Sequence, residues 1–143
     1  MPAAFPHTYK VNLSEIHSAK ATLHCEQAPV VLGGAPPQFD GLDSHWSPET
    51  LFISSIALCY VTTLAALKKK HESLEIREDD INIEGILDKT KEGLVFTQIA
   101  LHVTCSTNDK EKAIRILENA KKYCLISNAL KCPTVLNLTL NEL

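Results

Sequence analysis

The sequence lacks the short motifs that most directly assign a chemistry to a chain. Its five cysteines include no CxxC pair and its six histidines no HxxxH pair, so the common zinc-binding spacings are absent. No phosphate loop, dinucleotide fingerprint or Ser-His-Asp arrangement can be argued from its spacing. His45 near Glu49 makes only a weak case for a metal. We therefore predict neither a metal nor another cofactor.

The chain also lacks an excess of positive charge and a secretory segment. Its formal net charge is −3, which gives no reason to expect binding to nucleic acid or to an anionic membrane. An odd number of cysteines and an opening stretch without a charged and apolar leader predict a reducing, cytoplasmic location. With 143 residues, 45% of them hydrophobic and 22% charged, residues 1–143 are predicted to form a single soluble domain.

The most informative stretch is a predicted helix over residues 46–71. Ser47 is a good N-cap, Pro48 suits the first helical position, and Glu49 suits the first turn. The run over residues 51–67 is apolar on nearly every side and is interrupted only by hydroxyl side chains. It is too short and too hydroxylated to span a bilayer comfortably, so we predict a helix buried in a core, with Cys59 on its weakly polar face.

Alternation of apolar and polar residues predicts strands elsewhere. A second helix is predicted from residue 109, with Asn108 as its cap and Glu111 completing a capping box. Residues 72–80 are charged and predict a surface loop. Hairpins, two main helices and no regular strand–helix alternation predict the α+β class. The predicted strands lie near residues 9–13, 19–25, 30–32, 81–86, 95–105 and 134–140.

Three motifs in order resemble the OsmC/Ohr family. They are Phe39-Asp40-Gly41, then Ser47-Pro48-Glu49 with Cys59 ten residues after the glutamate, and finally Cys124-Leu125-Ile126-Ser127. The resemblance implies an OsmC-like fold, with antiparallel sheets around a long buried central helix. It also implies an intertwined homodimer with active sites at the interface. Two such helices that cross antiparallel would bring Glu49 of one copy opposite Cys59 of the other.

The same resemblance implies a thiol peroxidase that reduces organic hydroperoxides. Cys59 would be the peroxidatic thiol and Cys124 the resolving thiol, with Glu49 as a third site residue. An external thiol, such as a lipoyl group or another dithiol, would restore the pair. The residues alone leave other interpretations open, since a buried cysteine is usually inert and Glu49 can serve the helix dipole only. The cysteines without a counterpart in the motif are interpreted as filler: Cys25, Cys105 and Cys132.

One departure from the family pattern concerns an arginine that holds the reactive thiolate. In the OsmC branch it directly precedes the Phe-acidic-Gly step, where this chain has Gln38. The only arginines, Arg77 and Arg115, follow the helix and match no motif. Lys20 and His45 are the candidate substitutes, although lysine lacks the bidentate fork of arginine. We therefore expect an attenuated peroxidase. The alternatives are a small-molecule binding protein of the same fold and a thiol redox sensor.

Overall fold

The computed structural model describes residues 3–143. It has the α+β architecture predicted from the sequence, with two three-stranded sheets and three α-helices. The chain forms two compact units, which meet in sequence between Leu51 and Phe52.

The first unit contains an antiparallel sheet in the order β1-β2-β3. Its strands are β1 (Asn12–His17), β2 (Lys20–His24) and β3 (Val31–Gly34). The strand β3 extends through two glycines that the sequence suggested would break the pattern. A Cβ at Gly33 would lie 2.9 Å from Cδ1 of Leu23 on the neighbouring strand, so a larger residue there would require that side chain to shift.

The long helix α1 (Pro48–Lys68) is the helix that the apolar run predicted, and it contributes side chains to a protein core. Within the single chain it buries one stripe, formed by Ile56, Tyr60 and Leu64 at intervals of four residues. The opposite face is open, and Leu58 is 65% exposed. Its length and composition would suffice to cross a membrane, but the buried stripe belongs to a protein core.

The second unit contains a mixed sheet in the order β4-β5-β6. The strands β4 (Ile76–Thr90) and β5 (Gly93–Thr107) form a long antiparallel hairpin. Two helices follow, α2 (Lys110–Lys122) and α3 (Leu125–Asn128), before β6 (Thr134–Glu142). Because this helical crossover returns the chain to the same end of the sheet, β6 pairs with β5 in parallel. The prediction of antiparallel sheets is wrong for this one pair.

The start of β4 corrects the second half of the surface loop predicted over residues 72–80: β4 begins at Ile76, and only residues 72–75 lie outside a strand. Ile76 is buried in the core, and the charged residues after it belong to the strand. Two of their carboxylates are paired locally, since Lys68 forms an ion pair with Glu78 at 2.8 Å and Arg77 forms one with Asp79 at 2.8 Å. A run of charged residues therefore occupies one end of a strand without being a loop.

The sequence predicts Asn108 as the N-cap of α2, and this prediction is wrong. The N-cap is Asp109. The carboxylate of Asp109 accepts a hydrogen bond from the Lys112 amide at 3.1 Å. This bond lowers the pKa of Asp109. The Asn108 side chain is engaged elsewhere, since it accepts from the Glu75 amide and donates to the Ser73 carbonyl. Asn108, which the local pattern favoured as the cap, therefore forms a tertiary contact instead.

The core of the second unit lies between the sheet and the helices α1 and α2. The Tyr60 hydroxyl, deep in this core, donates to the Leu117 carbonyl of α2 at 3.0 Å. Burial raises the pKa of Tyr60 strongly. This contact ties α1 to α2 and leaves no unsatisfied phenol in the interior. Further members of the core are Leu64, Leu101, Val103, Cys105, Ala113 and Ala120.

Candidate active site

The first turn of α1 carries the predicted glutamate. Ser47 and Thr50 cap the helix reciprocally: the Ser47 Oγ accepts from the Thr50 amide at 3.1 Å, and the Thr50 Oγ1 accepts from the Ser47 amide at 2.9 Å. The predicted N-cap is confirmed. Within the described residues 3–143, the buried Oε2 atom of Glu49 has no hydrogen-bond partner. A buried carboxylate oxygen normally has a donor, so this atom marks a position where one belongs.

Cys59 lies in the middle of α1 and is partly exposed, with a free thiol. The nearby hydroxyls serve the backbone: Thr62 Oγ1 and Thr63 Oγ1 both donate to the Cys59 carbonyl, at 3.0 and 2.7 Å. Ser55 likewise donates to a carbonyl one turn earlier, at 2.6 Å. The polar face predicted around the thiol therefore exists, but its hydroxyl protons are directed at backbone carbonyls.

Cys124 lies in the short connection between α2 and α3 and is fully buried, at 1% exposure. Its Sγ donates to the Ile56 carbonyl of α1 at 3.8 Å. Ile56 precedes Cys59 by three residues, and helical residues at this spacing are neighbours on the surface of a helix. The fold thus places Cys124 against the turn of α1 that leads to Cys59.

The residues considered as substitutes for the family arginine lie in the first unit. Lys20 and His45 line the same small cavity, of about 240 Å³, together with Asp40 and Gly41. Gln38 is exposed on a short 3-10 helix and does not line that cavity. The cavity therefore brings together the two candidate substitutes and leaves out the residue at the motif position.

A larger groove of about 480 Å³ adjoins this cavity. Lys20 is its one charged lining residue, and its walls are otherwise mostly apolar: Leu13, Ala21, Leu23, Trp46, Pro48 and Leu51. It is formed by one face of the sheet and by the start of α1. Its size is in the range of small-molecule sites, and the combination of a cation with apolar walls suits a bulky organic molecule that carries a polar end.

The Phe39-Asp40-Gly41 motif has a structural role in the chain. Asp40 ends the 3-10 helix (Pro37–Phe39) in a left-handed conformation, with φ 59°. Gly41 approaches the Ala35 backbone so closely that a Cβ would lie 1.6 Å from the Ala35 oxygen. Only glycine fits there, so the glycine of the motif shapes the loop that carries the cavity.

The remaining cysteines are dispersed. Cys25 is exposed, Cys132 is partly exposed, and Cys105 is buried in the core. Burial, followed by the negative charges of Glu78 and Asp79, raises the pKa of Cys105. Because its pKa is raised, the Cys105 thiol is rarely in the thiolate form and is a poor nucleophile. Among residues 3–143, no group of three or more His, Cys, Asp or Glu side chains is arranged to hold a metal ion.

Two residues near these features escaped the sequence analysis. Ile56 was recognised as apolar, but no pattern in the sequence indicates that its carbonyl receives the Cys124 thiol. Thr134 was placed at the start of a strand, yet its buried Oγ1 has no hydrogen-bond partner within the described part of the chain. Both depend on contacts between distant parts of the chain, which local patterns do not encode.

Comparison with known protein families identifies the class to which this fold and these candidate site residues belong. The family model described as OsmC-like protein matches residues 41–139. The chain therefore belongs to the OsmC-like family, and the resemblance found in its motifs is confirmed.

The chain is also similar to individual curated proteins. The chain is similar to the uncharacterized protein YmaD of Bacillus subtilis, with 28% identity over 102 residues, which are 67% of each chain. It is also similar to an organic hydroperoxide resistance protein-like chain of Mycoplasma genitalium, with 24% identity over 95 residues, 66% of this chain and 67% of that one.

Solved structures share the fold at low sequence identity. An OsmC-like protein of unknown function from Vibrio cholerae superimposes with a TM-score of 0.83 at 15% identity, covering 94% of this chain and 100% of that one. An organic hydroperoxide resistance protein from Elizabethkingia anophelis has a TM-score of 0.74 at 18% identity, covering 97% and 100%. The predicted OsmC-like fold is thereby confirmed.

Proposed function

We propose that this protein is a thiol-dependent peroxidase that reduces organic hydroperoxides, attenuated by the glutamine at position 38. The observation that carries the proposal is the position of the Cys124 thiol, 3.8 Å from the Ile56 carbonyl and beside the turn before Cys59. Membership of the OsmC-like family, and the organic hydroperoxide resistance proteins among its relatives and structural neighbours, support the same reaction.

The reaction has three balanced steps. The Cys59 thiolate attacks one peroxide oxygen, the O–O bond breaks, and an alcohol leaves once it has gained a proton; Cys59 becomes a sulfenic acid. The Cys124 thiolate attacks the Cys59 sulfur, which forms a disulfide and releases the oxygen as water. An external dithiol, such as a lipoyl group in its reduced, dihydrolipoyl form, then exchanges with the disulfide, which restores both thiols and leaves the reductant as a disulfide.

The proposal includes an intertwined homodimer of single-domain chains. The buried Glu49 oxygen without a partner and the open apolar face of α1, with Leu58 65% exposed, are both expected of a chain whose site is completed by a second copy. If two α1 helices cross antiparallel, Glu49 of each copy reaches the neighbourhood of Cys59 in the other. A cytoplasmic location agrees with a pair that must be returned to thiols by a reductant.

The expected attenuation of the peroxidase reaction follows from the missing positive charge at position 38. A thiolate is the nucleophile, and a nearby cation stabilises it. Gln38 is neutral, and loss of a charged hydrogen bond costs roughly 1.5–3 kcal/mol. Expressed as a barrier, that corresponds to a rate lower by about tenfold to a hundredfold. Lys20, in the cavity it shares with His45, is the cation that we expect to make up part of this loss.

The test is a stopped-flow measurement of reduced protein mixed with cumene hydroperoxide. We expect a slow reaction that disappears in Cys59→Ser, slows further in Lys20→Gln, and accelerates about tenfold to a hundredfold in Gln38→Arg. Gln98→Arg, at an exposed position of β5, is the matched control and should react as the wild type does. A thiol that stays inert to peroxide in both the wild type and Gln38→Arg would refute the peroxidase.

That negative result would support a second candidate, a binding protein for bulky organic molecules. The observation that favours it is the apolar groove of about 480 Å³ with a single charged residue, which does not depend on thiol chemistry. A third candidate, a redox sensor, would form the Cys59–Cys124 disulfide but would not turn over with a dithiol present.

A further inference from the structure

The second unit contains a groove that the peroxidase proposal does not use. It lies between the end of α2 and the first half of β6, with a volume of about 640 Å³. Its lining combines cationic, hydroxyl and apolar side chains, among them Lys121, Lys122, Thr134, Val135, Leu136 and Leu138. The volume lies within the range of small-molecule sites.

The feature that distinguishes this groove from an ordinary surface depression is Thr134. The residue is only 6% exposed, and its buried Oγ1 has no hydrogen-bond partner within residues 3–143. Valine would fill the same volume without a polar group to satisfy, and native structures leave few buried hydroxyls unpaired. Thr134 also lines the groove, so an acceptor atom of a bound molecule is one partner that could satisfy this hydroxyl.

The charges of the groove point to an anion. Neither Lys121 nor Lys122 forms an ion pair in the described part of the chain, and Lys122 Nζ instead lies 5.5 Å from the centre of the Tyr123 ring. Glu118 also lines the groove but pairs with neither lysine, so cations outnumber it by two to one. The lysines also offset the negative end of the α2 dipole, which is why the argument rests on Thr134 together with the lysines.

The remaining walls are apolar. Leu136 and Leu138 are partly exposed and lie on the core-facing side of β6, in register with Leu101 and Val103 of β5. A ligand with a charged head near the lysines would therefore place any tail against leucine side chains. Burial of a short alkyl tail there is favourable, because it removes apolar surface from water.

We propose that this groove binds a small amphipathic anion, a carboxylate or phosphate joined to a short alkyl tail. The head accepts hydrogen bonds from the Thr134 hydroxyl and from Lys121 and Lys122, and the tail packs on Leu136 and Leu138. The site is independent of Cys59, so binding should be unchanged in Cys59→Ser, and failure of the peroxidase would leave this proposal intact.

The experiment is an NMR titration of the full reduced chain with octanoate and, separately, with octyl phosphate. Methyl signals of Leu136 and Leu138 should shift with either ligand, and the tighter of the two identifies the preferred head. Octyltrimethylammonium, with the opposite charge, should bind at least tenfold more weakly. Binding should weaken as the salt concentration rises, because an exposed ion pair is screened.

Variants then assign the contacts. Thr134→Val should weaken octanoate binding by about twofold to tenfold, the value of one neutral hydrogen bond, and Thr134→Ser should restore it. Lys121→Gln with Lys122→Gln should weaken binding by about tenfold and remove most of its salt dependence. The charge-matched control changes two lysines at the exposed β4–β5 turn, Lys89→Gln with Lys91→Gln, and should leave binding unchanged.

Several results would overturn the proposal. Shifts confined to Leu13 and Leu23 would place the ligand in the apolar groove of the first unit instead. Equal affinity for the anions and the ammonium, or equal affinity in the wild type and the Lys121/Lys122 variant, would show that no anion site exists. If Thr134→Val does not fold, the comparison of Thr134→Ser with the Lys121/Lys122 variant still decides. The proposal expects Thr134→Ser to keep octanoate binding and the lysine variant to weaken it. Weaker binding in both variants would indicate general destabilisation and would overturn the assigned contacts.

Discussion

The open face of α1 allows a sharp test of the proposed dimer through Leu58→Glu. In the single chain Leu58 is 65% exposed and lies opposite the buried stripe, so the substitution should change the stability of the isolated fold by no more than about 0.5 kcal/mol. If a second copy covers this face, the loss of apolar burial costs about 1–2 kcal/mol in each copy. A carboxylate enclosed in the interface adds several kcal/mol more.

Together these terms predict a dimer dissociation constant raised by at least a hundredfold. Sedimentation velocity over a range of micromolar concentrations measures it, and circular dichroism of the separated chains checks that the fold persists. Leu125→Glu, at a residue of α3 that is 69% exposed, is the matched control and should stay dimeric. A Leu58→Glu protein that associates as tightly as the wild type would refute the covered face and, with it, the shared active site.

Two predictions concern the cysteines. Mild oxidation with one equivalent of hydroperoxide should join Cys59 to Cys124 within one chain and leave Cys25, Cys105 and Cys132 reduced; peptide mapping that finds another dominant bridge would remove the assigned roles. The pKa of Cys105 is raised in the folded chain, so above about pH 8.5 the unfolded chain loses this proton first and stability falls as the pH rises. Urea unfolding at pH 7 and pH 10 should show a smaller alkaline loss in Cys105→Ala than in the wild type, whereas Cys25→Ala should match the wild type.

Local signals in the sequence were sufficient for several elements. The start of α1 was predictable because capping depends on residues within one turn, and Ser47 and Thr50 satisfy each other there. The long strand β5 was predictable because alternation is maintained over most of its length. The α+β class followed from the order of these elements.

Local signals failed where tertiary contacts compete with them. Asn108 has the composition of an N-cap, but its side chain is held by the segment before β4, and Asp109 caps α2 instead. The charged start of β4 resembles a loop in sequence, yet its backbone pairs with the end of β5 as a strand, and Glu78 forms an ion pair with Lys68. Neither outcome can be read from a window of neighbouring residues.

The candidate site divides in the same way. The motifs around Glu49, Cys59 and Cys124 indicated the family from sequence alone, because their order and spacing are a linear property. The sequence also determined that Gln38 occupies the place of the family arginine. The sequence named only candidates for the group that replaces this arginine. The structure adds that Lys20 and His45 line one cavity and that Gln38 does not line it.

The sequence by itself therefore determined the family, the fold class and the residues available for chemistry, since composition, capping and spacing are all encoded locally. Only the tertiary structure decided that the Cys124 thiol lies against the Ile56 carbonyl, that β6 pairs in parallel with β5, and that a single chain leaves one face of α1 uncovered. These features depend on how segments far apart in the chain share a limited volume, and the free energy of that packing belongs to no single segment.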